Sequence, residues 1–335
     1  MRWFQNGRKR RVLAGTFAVL GVTLGLAPVS AQAAVTCRTI DFPVSQGTMH
    51  GKLCTPAGAG TVHVLIPGGT YNSSYWDIGY SPSTRSYRMA MNKAGHATLA
   101  VDRLGTGKSS KPLSATVTAS AQALAVHEVI KQIRPRFDKV IVGGHSIGSA
   151  MAMIEAGTFR DVDGVLVTGM THRMNFVTVA PVLAQMIPAP LDPHLSSRGL
   201  DLGYLTTGPG TRYGAFHAPG SKVNGAIDFD ESTKDVFAAT EAVDTVALTN
   251  IVIPASRGIN VPVLMVVGND NHFCGPPLGA DCSSASALKA SERPFFGPNA
   301  TLTTHLVSGY GHSINYAPDA ASYYDVVTKW ASSIN

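Results

Sequence analysis

From residue 61 onward, apolar and polar positions alternate in blocks. "TVHVLI" (61–66), "HATLAV" (96–101), "KVIVGG" (139–144) and "DGVLVTG" (163–169) are short runs rich in β-branched residues, each bounded by turn residues. They read as strands buried on both faces. Between them, "TRSYRMAMNKAG" (84–95), "TASAQALAVHEVIKQIR" (118–134) and the small-residue stretch at 147–157 carry helical spacing. Strand and helix in alternation predict a mostly parallel central sheet flanked by helices, an α/β fold.

The rhythm stops over residues 172–258, which are rich in Pro, Gly, Met and aromatics. It resumes with "VPVLMVVG" (261–268), "TLTTHLVS" (301–308) and a last helix from Pro318 to Ser333. Such an interruption is too long for an ordinary loop. It predicts an inserted, mainly helical cap over the carboxyl edge of the sheet, where open α/β sheets bind ligands. The expected organisation is therefore a core in two parts, 34–171 and 259–335, with the cap between them.

The first 33 residues have the layout of a secretory signal peptide. Arg2, Arg8, Lys9, Arg10 and Arg11 precede "VLAGTFAVLGVTLGLAPV", and the small-residue site Ala31-Gln32-Ala33 follows. Gly and Pro break the apolar run, so no stable membrane anchor is expected. Arg10-Arg11 leaves both the Sec and the twin-arginine route open. The whole chain is formally +6, and without the five basic residues of this segment it is about +1. No basic stripe remains to neutralise phosphates, which excludes nucleic acid as the expected partner. The four cysteines fall into two local pairs, Cys37 with Cys54 and Cys274 with Cys282, and two disulfides are the economical reading in an exported chain. "AVT" before Cys37 is a poor lipidation site and would leave Cys54 unpaired.

Candidate chemistry centres on "KVIVGGHSIGSAMAMIEAG" (139–157), where Gly144-His145-Ser146-Ile147-Gly148 joins a strand pattern to a helix pattern. Glycines on both sides allow a sharp strand-to-helix turn that presents a serine hydroxyl above the sheet. The Ile147 N–H, at the helix start, points to the same place. A nucleophilic serine on such a turn needs an acid and then a histidine downstream. Asp270 stands at the end of the strand 261–268, and His312 in the Gly-flanked loop after 301–308. His272, His305, His145 and the alternative acid Asp281 are the rivals. A second oxyanion donor is expected from Gly69, with Thr70 in reserve, because Pro67-Gly68-Gly69 permits close backbone approach. "VDRLGTGKS" lacks the first glycine of a phosphate-binding loop, so Asp102 and Arg103 read as parts of a structural turn. No side-chain group has zinc-site spacing, and neither metal nor organic cofactor is expected.

"VLIPGGTYNSSYWD", "AVDRLGTGKSSKP", "GGHSIGS", "VLMVVGNDNHFC" and "GYGHSINY" together resemble the α/β-hydrolase superfamily, within it the exported bacterial esterase and lipase-like members. The resemblance covers residues 55–334 apart from the cap. It implies a serine hydrolase. Two departures stand out. The family's usual His-Gly in the oxyanion loop is Pro67-Gly68 here, and its usual acid position is occupied by Asn271, one residue after Asp270.

The expected activity is hydrolysis of carboxylic esters through an acyl-enzyme, with a small-molecule ester or lactone as the partner. Met170, Met174, Phe176, Met186, Tyr204, Tyr213 and Phe216 either line an apolar pocket or pack the cap onto the sheet. Lactone opening, amide or peptide cleavage and cofactor-free haloperoxidation are alternatives on the same three residues. A non-catalytic binding protein on the same fold is a further alternative. Oligomeric state is not readable.

Overall fold

The computed structural model describes residues 34–247 and 254–334, with Met1, Trp3, Phe4 and Gly7 as isolated positions. The expected export segment, residues 1–33, otherwise lies outside the described residues. No helix among the described residues is long and apolar enough to cross a membrane.

The chain opens with an antiparallel pair, β1 (Val35–Val44) and β2 (Gly47–Pro56), which the apolar pattern had not disclosed. Cys37 and Cys54 face each other across it and are joined by a disulfide. Then follow β3 (Thr61–Ile66), the short helices α1 (Pro82–Arg85) and α2 (Tyr87–Lys93), β4 (Ala97–Val101), α3 (Ala119–Ile133), β5 (Lys139–His145), α4 (Ile147–Phe159) and β6 (Gly164–Thr168). The expected helix at 84–95 is thus broken at Ser86, whose side chain accepts the Met89 N–H and starts α2 afresh.

The insertion contributes α5 (Phe176–Leu183), β7 (Met186–Pro188), β8 (Tyr204–Thr207), α6 (Asn224–Ser232), β9 (Phe237–Ala238) and α7 (Ala239–Val246). Beside these helices it carries a three-stranded antiparallel sheet, β7-β8-β9, which the sequence pattern had not suggested. The core resumes with β10 (Val263–Gly268), α8 (Ala285–Glu292), β11 (Leu302–Val307) and α9 (Ala320–Ser332).

The large sheet runs β1-β2-β4-β3-β5-β6-β10-β11. It is parallel from β4 to β11, and β1 and β2 join antiparallel at one edge. Successive side chains of a strand point to opposite faces. Val62, Val64, Val140, Val142, Val165, Val167, Val263 and Met265 therefore pack on one face, with Val126, Ile130 and Ile133 of α3 and Met151 of α4. Leu65, Ile141, Leu166, Leu264 and Val266 pack on the other, with Tyr87 and Met91 of α2 and Tyr323, Tyr324 and Val327 of α9. Both faces are covered, so the strands read as continuous apolar runs. The parallel strands end together on one edge, and the loops leaving β3, β5, β10 and β11 meet there.

Candidate active site

Ser146 occupies the junction of β5 and α4 with φ 55° and ψ −127°, a conformation that non-glycine residues rarely adopt. The flanking glycines are required by close approach. A Cβ on Gly144 would stand 2.1 Å from the Gly148 carbonyl oxygen, and one on Gly148 would stand 2.5 Å from the Ile66 oxygen. These are backbone atoms and cannot step aside. The turn is thereby pressed against the end of β3, and Ser146 and Ile147 are left partly exposed between buried segments.

The loop after β3 rests on the same turn. A Cβ on Gly68 would meet the Ser146 Cβ at 3.1 Å, and one on Gly69 the Ile147 Cδ1 at 3.2 Å. Tyr71 N–H donates back to the Gly68 carbonyl at 3.2 Å, closing a tight turn, and Thr70 is held at φ 63°. Among the described residues, the N–H groups of Gly69 and Thr70 meet no protein acceptor, and both residues line the cavity above Ser146.

Arg103 fixes this turn and was missed as a site-building residue. Its Nε donates to the Pro67 carbonyl at 3.1 Å and its Nη2 to the Gly68 carbonyl at 3.0 Å, while Nη1 pairs with Glu241 of α7. With the carbonyls drawn towards Arg103, the loop's N–H groups are free to face the cavity. Asp102 accepts the N–H groups of Ser73 and Lys108, as a structural turn should. The signal for Arg103 was slight: an arginine two residues after a buried strand.

Asp270 follows the end of β10, buried at 1 % exposure. Its Oδ2 accepts the His312 Nδ1 at 2.6 Å, and its Oδ1 accepts the His272 backbone N–H at 3.0 Å. The His272 ring also reaches Oδ1, at 2.9 Å. Burial opposes ionisation of Asp270, but the charge of His312 and the hydrogen bonds of both histidines outweigh it and hold the carboxyl well below the usual range. His312 is itself buried between Phe216 and Phe273, with ring centroids at 5.7 and 5.8 Å, and beside His145 at 4.7 Å. His145 is pushed to low pKa, first by burial and then by the His312 charge. Of the rivals, His305 sits within β11, and Asp281 lies exposed beside the Cys274–Cys282 disulfide.

The cap holds the histidine loop in place through residues that sequence spacing does not reveal. The Ser313 N–H donates to the Phe216 carbonyl at 2.9 Å, and the Gly311 N–H to the His217 carbonyl at 3.2 Å. Beneath them, Asp230 accepts Arg212 Nη2 and His217 Nε2, both at 2.7 Å. Burial again opposes ionisation, and Arg212 and His217 prevail, bringing the Asp230 carboxyl down to about 2. Arg212 also donates to the Thr70 hydroxyl at 3.0 Å, so one buried network ties the cap to both loops.

Ser146, Ile147, Gly69, Thr70, His272 and His312 border one cavity of about 150 Å³. Most of its remaining wall is apolar and comes largely from residues 172–258: Met174, Phe176, Val179, Val182, Met186 and Phe216 among others. Of the seven residues proposed for such a wall, Met174, Phe176, Met186 and Phe216 are there. Met170, Tyr204 and Tyr213 are not, and Tyr204 instead packs on Gly105 and donates to the Pro112 carbonyl. A larger, open groove of about 620 Å³ lies beside the Cys274–Cys282 loop, away from Ser146 and His312.

The profile of the alpha/beta hydrolase family matches residues 64–322. "Lipase 3" of Moraxella sp. (strain TA144) is 29% identical over 153 residues, 45% of this chain and 48% of that protein. The chain thus spans about half the length of that curated relative. Among solved structures, a thermophilic esterase from Thermogutta terrifontis superposes with a TM-score of 0.55 at 13% identity, covering 89% of this chain and 99% of the other. Carboxylesterase CesB from Bacillus subtilis gives 0.58 at 15% identity, with 89% and 91% coverage. The eight-stranded sheet, the serine turn between its fifth strand and the following helix, and a family match over most of the chain lead to one conclusion: this protein belongs to the alpha/beta hydrolase family.

Proposed function

We propose that the protein is an exported serine hydrolase that cleaves carboxylic esters of apolar substrates through Ser146, His312 and Asp270. The observation that carries this reading is the convergence on one apolar cavity of a serine in a left-handed turn and a histidine hydrogen-bonded to a buried carboxylate. The His312 Nδ1–H donates to Asp270, which leaves Nε2 as the basic nitrogen. That nitrogen takes the Ser146 proton as Oγ attacks the ester carbonyl. The N–H groups of Ile147 and Gly69 receive the oxyanion, and Thr70 is the neighbouring alternative to Gly69. The alcohol departs with the proton from His312, and water releases the acyl group by the same route.

The ester class is favoured by the cavity wall and by the names of the proteins the chain resembles, a lipase and esterases. Export is favoured by the two disulfides, Cys37–Cys54 and Cys274–Cys282. The test is a panel of p-nitrophenyl esters graded by acyl length, run beside lactones and anilides. The expected result is turnover of short to medium acyl esters that is lost in Ser146→Ala. Turnover of lactones or anilides with no ester hydrolysis would contradict it.

A further inference from the structure

On the α3–α4 side of the sheet, away from the cavity, three ligand-type side chains meet. His127 comes from α3, Glu155 from the interior of α4, and Asp161 from the turn just past its end. One donor atom of each lies within 4.8 Å of the others. His127 Nδ1 is 2.9 Å from Asp161 Oδ2 and 3.6 Å from Glu155 Oε1. The Glu155 side chain is fully buried, and neither of its oxygens meets a donor. The His127 Nδ1 and the Asp161 Oδ1 are also buried without an aligned hydrogen bond. Glu155 and Asp161 thus keep unsatisfied carboxylate oxygens beside the His127 imidazole, although buried polar atoms are nearly always satisfied.

We propose that His127, Glu155 and Asp161 form a binding site for a divalent first-row transition cation of the zinc type. An imidazole nitrogen with two carboxylates suits zinc or cobalt, whereas calcium and magnesium require an oxygen-rich shell. Tetrahedral bonds of about 2.0–2.2 Å place ligands about 3.3–3.6 Å apart. The His127–Glu155 spacing already matches that edge, and the Asp161 contact has only to widen slightly. Two carboxylates balance the charge of the ion. The His127 and Asp161 side chains, 18% and 28% exposed, give the ion a way in and leave a fourth position for water. His127 is steadied by stacking on Phe159 at 3.8 Å. A bound ion would clamp α3 to the far end of the helix that begins at Ser146. Linear spacing conceals the site, because its residues are 28 and 6 positions apart along the chain.

The test uses the chelator-stripped mature protein titrated with ZnCl₂ and CoCl₂, followed by calorimetry and cobalt visible absorption. Asp270, His272 and His312 form another set of three donors, so each titration is repeated in His272→Ala. The expected result is one equivalent bound, with tetrahedral cobalt bands that persist in H272A. In His127→Ala, Glu155→Gln and Asp161→Asn the affinity falls by at least about tenfold, since removing a ligand exceeds the loss from removing its supporting shell. H127A and D161N alter partly exposed positions and keep the test valid if E155Q does not fold. No binding, binding unchanged in all three variants, or binding lost only in H272A overturns the proposal.

Discussion

The serine turn and the cap wall border the same cavity but are specified in different ways. Around Ser146, backbone meets backbone: added Cβ atoms on Gly144 and Gly148 would stand 2.1 and 2.5 Å from main-chain oxygens. Across the cavity, Phe176, Val179, Val182 and Met186 contribute only apolar side chains, and Phe176 is 47% exposed. One region permits almost no change of shape. The other permits many residues of similar size and polarity. On the proposed function, the chemistry would be set by main-chain geometry and the choice of substrate by side chains of residues 172–258.

That contrast can be broken at either end. The largest effect is expected at the proton relay. Asp270→Asn keeps the shape of the side chain but accepts poorly from the His312 Nδ1–H, and kcat on a p-nitrophenyl ester should fall by about 10³–10⁴ with an unchanged circular dichroism spectrum. Next is Gly148→Ala, whose methyl group meets the carbonyls of Ile66 and Pro67. A loss of more than about 4 kcal/mol, or failure to fold, is expected, as read by urea denaturation. A stable, active G148A would remove the claim that backbone contact defines the turn.

Cap substitutions should act more gently. Met186→Ala and Val179→Ala enlarge the apolar wall, and the preferred acyl chain should lengthen, with shifts in kcat/KM of about 10–200-fold between adjacent chain lengths at most. Loss of all activity from either change would mean that the cap takes part in the chemistry itself. The smallest effect concerns acid stability. Asp230 is depressed from 3.8 to about 2 in the fold, so its contribution is complete above pH ~4 and is lost as the pH falls towards 2. The amount is about 2 kcal/mol, and Asp270 acts in the same direction. Urea midpoints between pH 5 and pH 2.5 should decline less steeply in Asp230→Asn than in the native chain.

How much of this was legible depends on what each residue touches. β3, β5, β6 and β10 were readable because both faces are buried and most positions are apolar. β2 was not: Gly51 takes an inward position between Met49 and Leu53, which erases the alternation, and β1 is mostly exposed at the edge. The strands of the cap sheet span two to four residues, too short to show any period. The serine, aspartate and histidine proposed for catalysis could be singled out because each follows the end of a core strand. Arg103 and Arg212 were not, since their anchors Glu241 and Asp230 lie in the insertion, which has no repeating pattern to align them. His272 was weighed only as a rival base, and the fold brings it to the second oxygen of the acid.

The central claim is that Ser146 is made nucleophilic by His312. Reaction with a fluorophosphonate probe, mapped by peptide mass spectrometry, tests it directly. Stoichiometric modification at Ser146, absent in Ser146→Ala and strongly slowed in His312→Ala, is the predicted result. A label on another residue, or equal labelling rates with and without the His312 imidazole, would contradict the account.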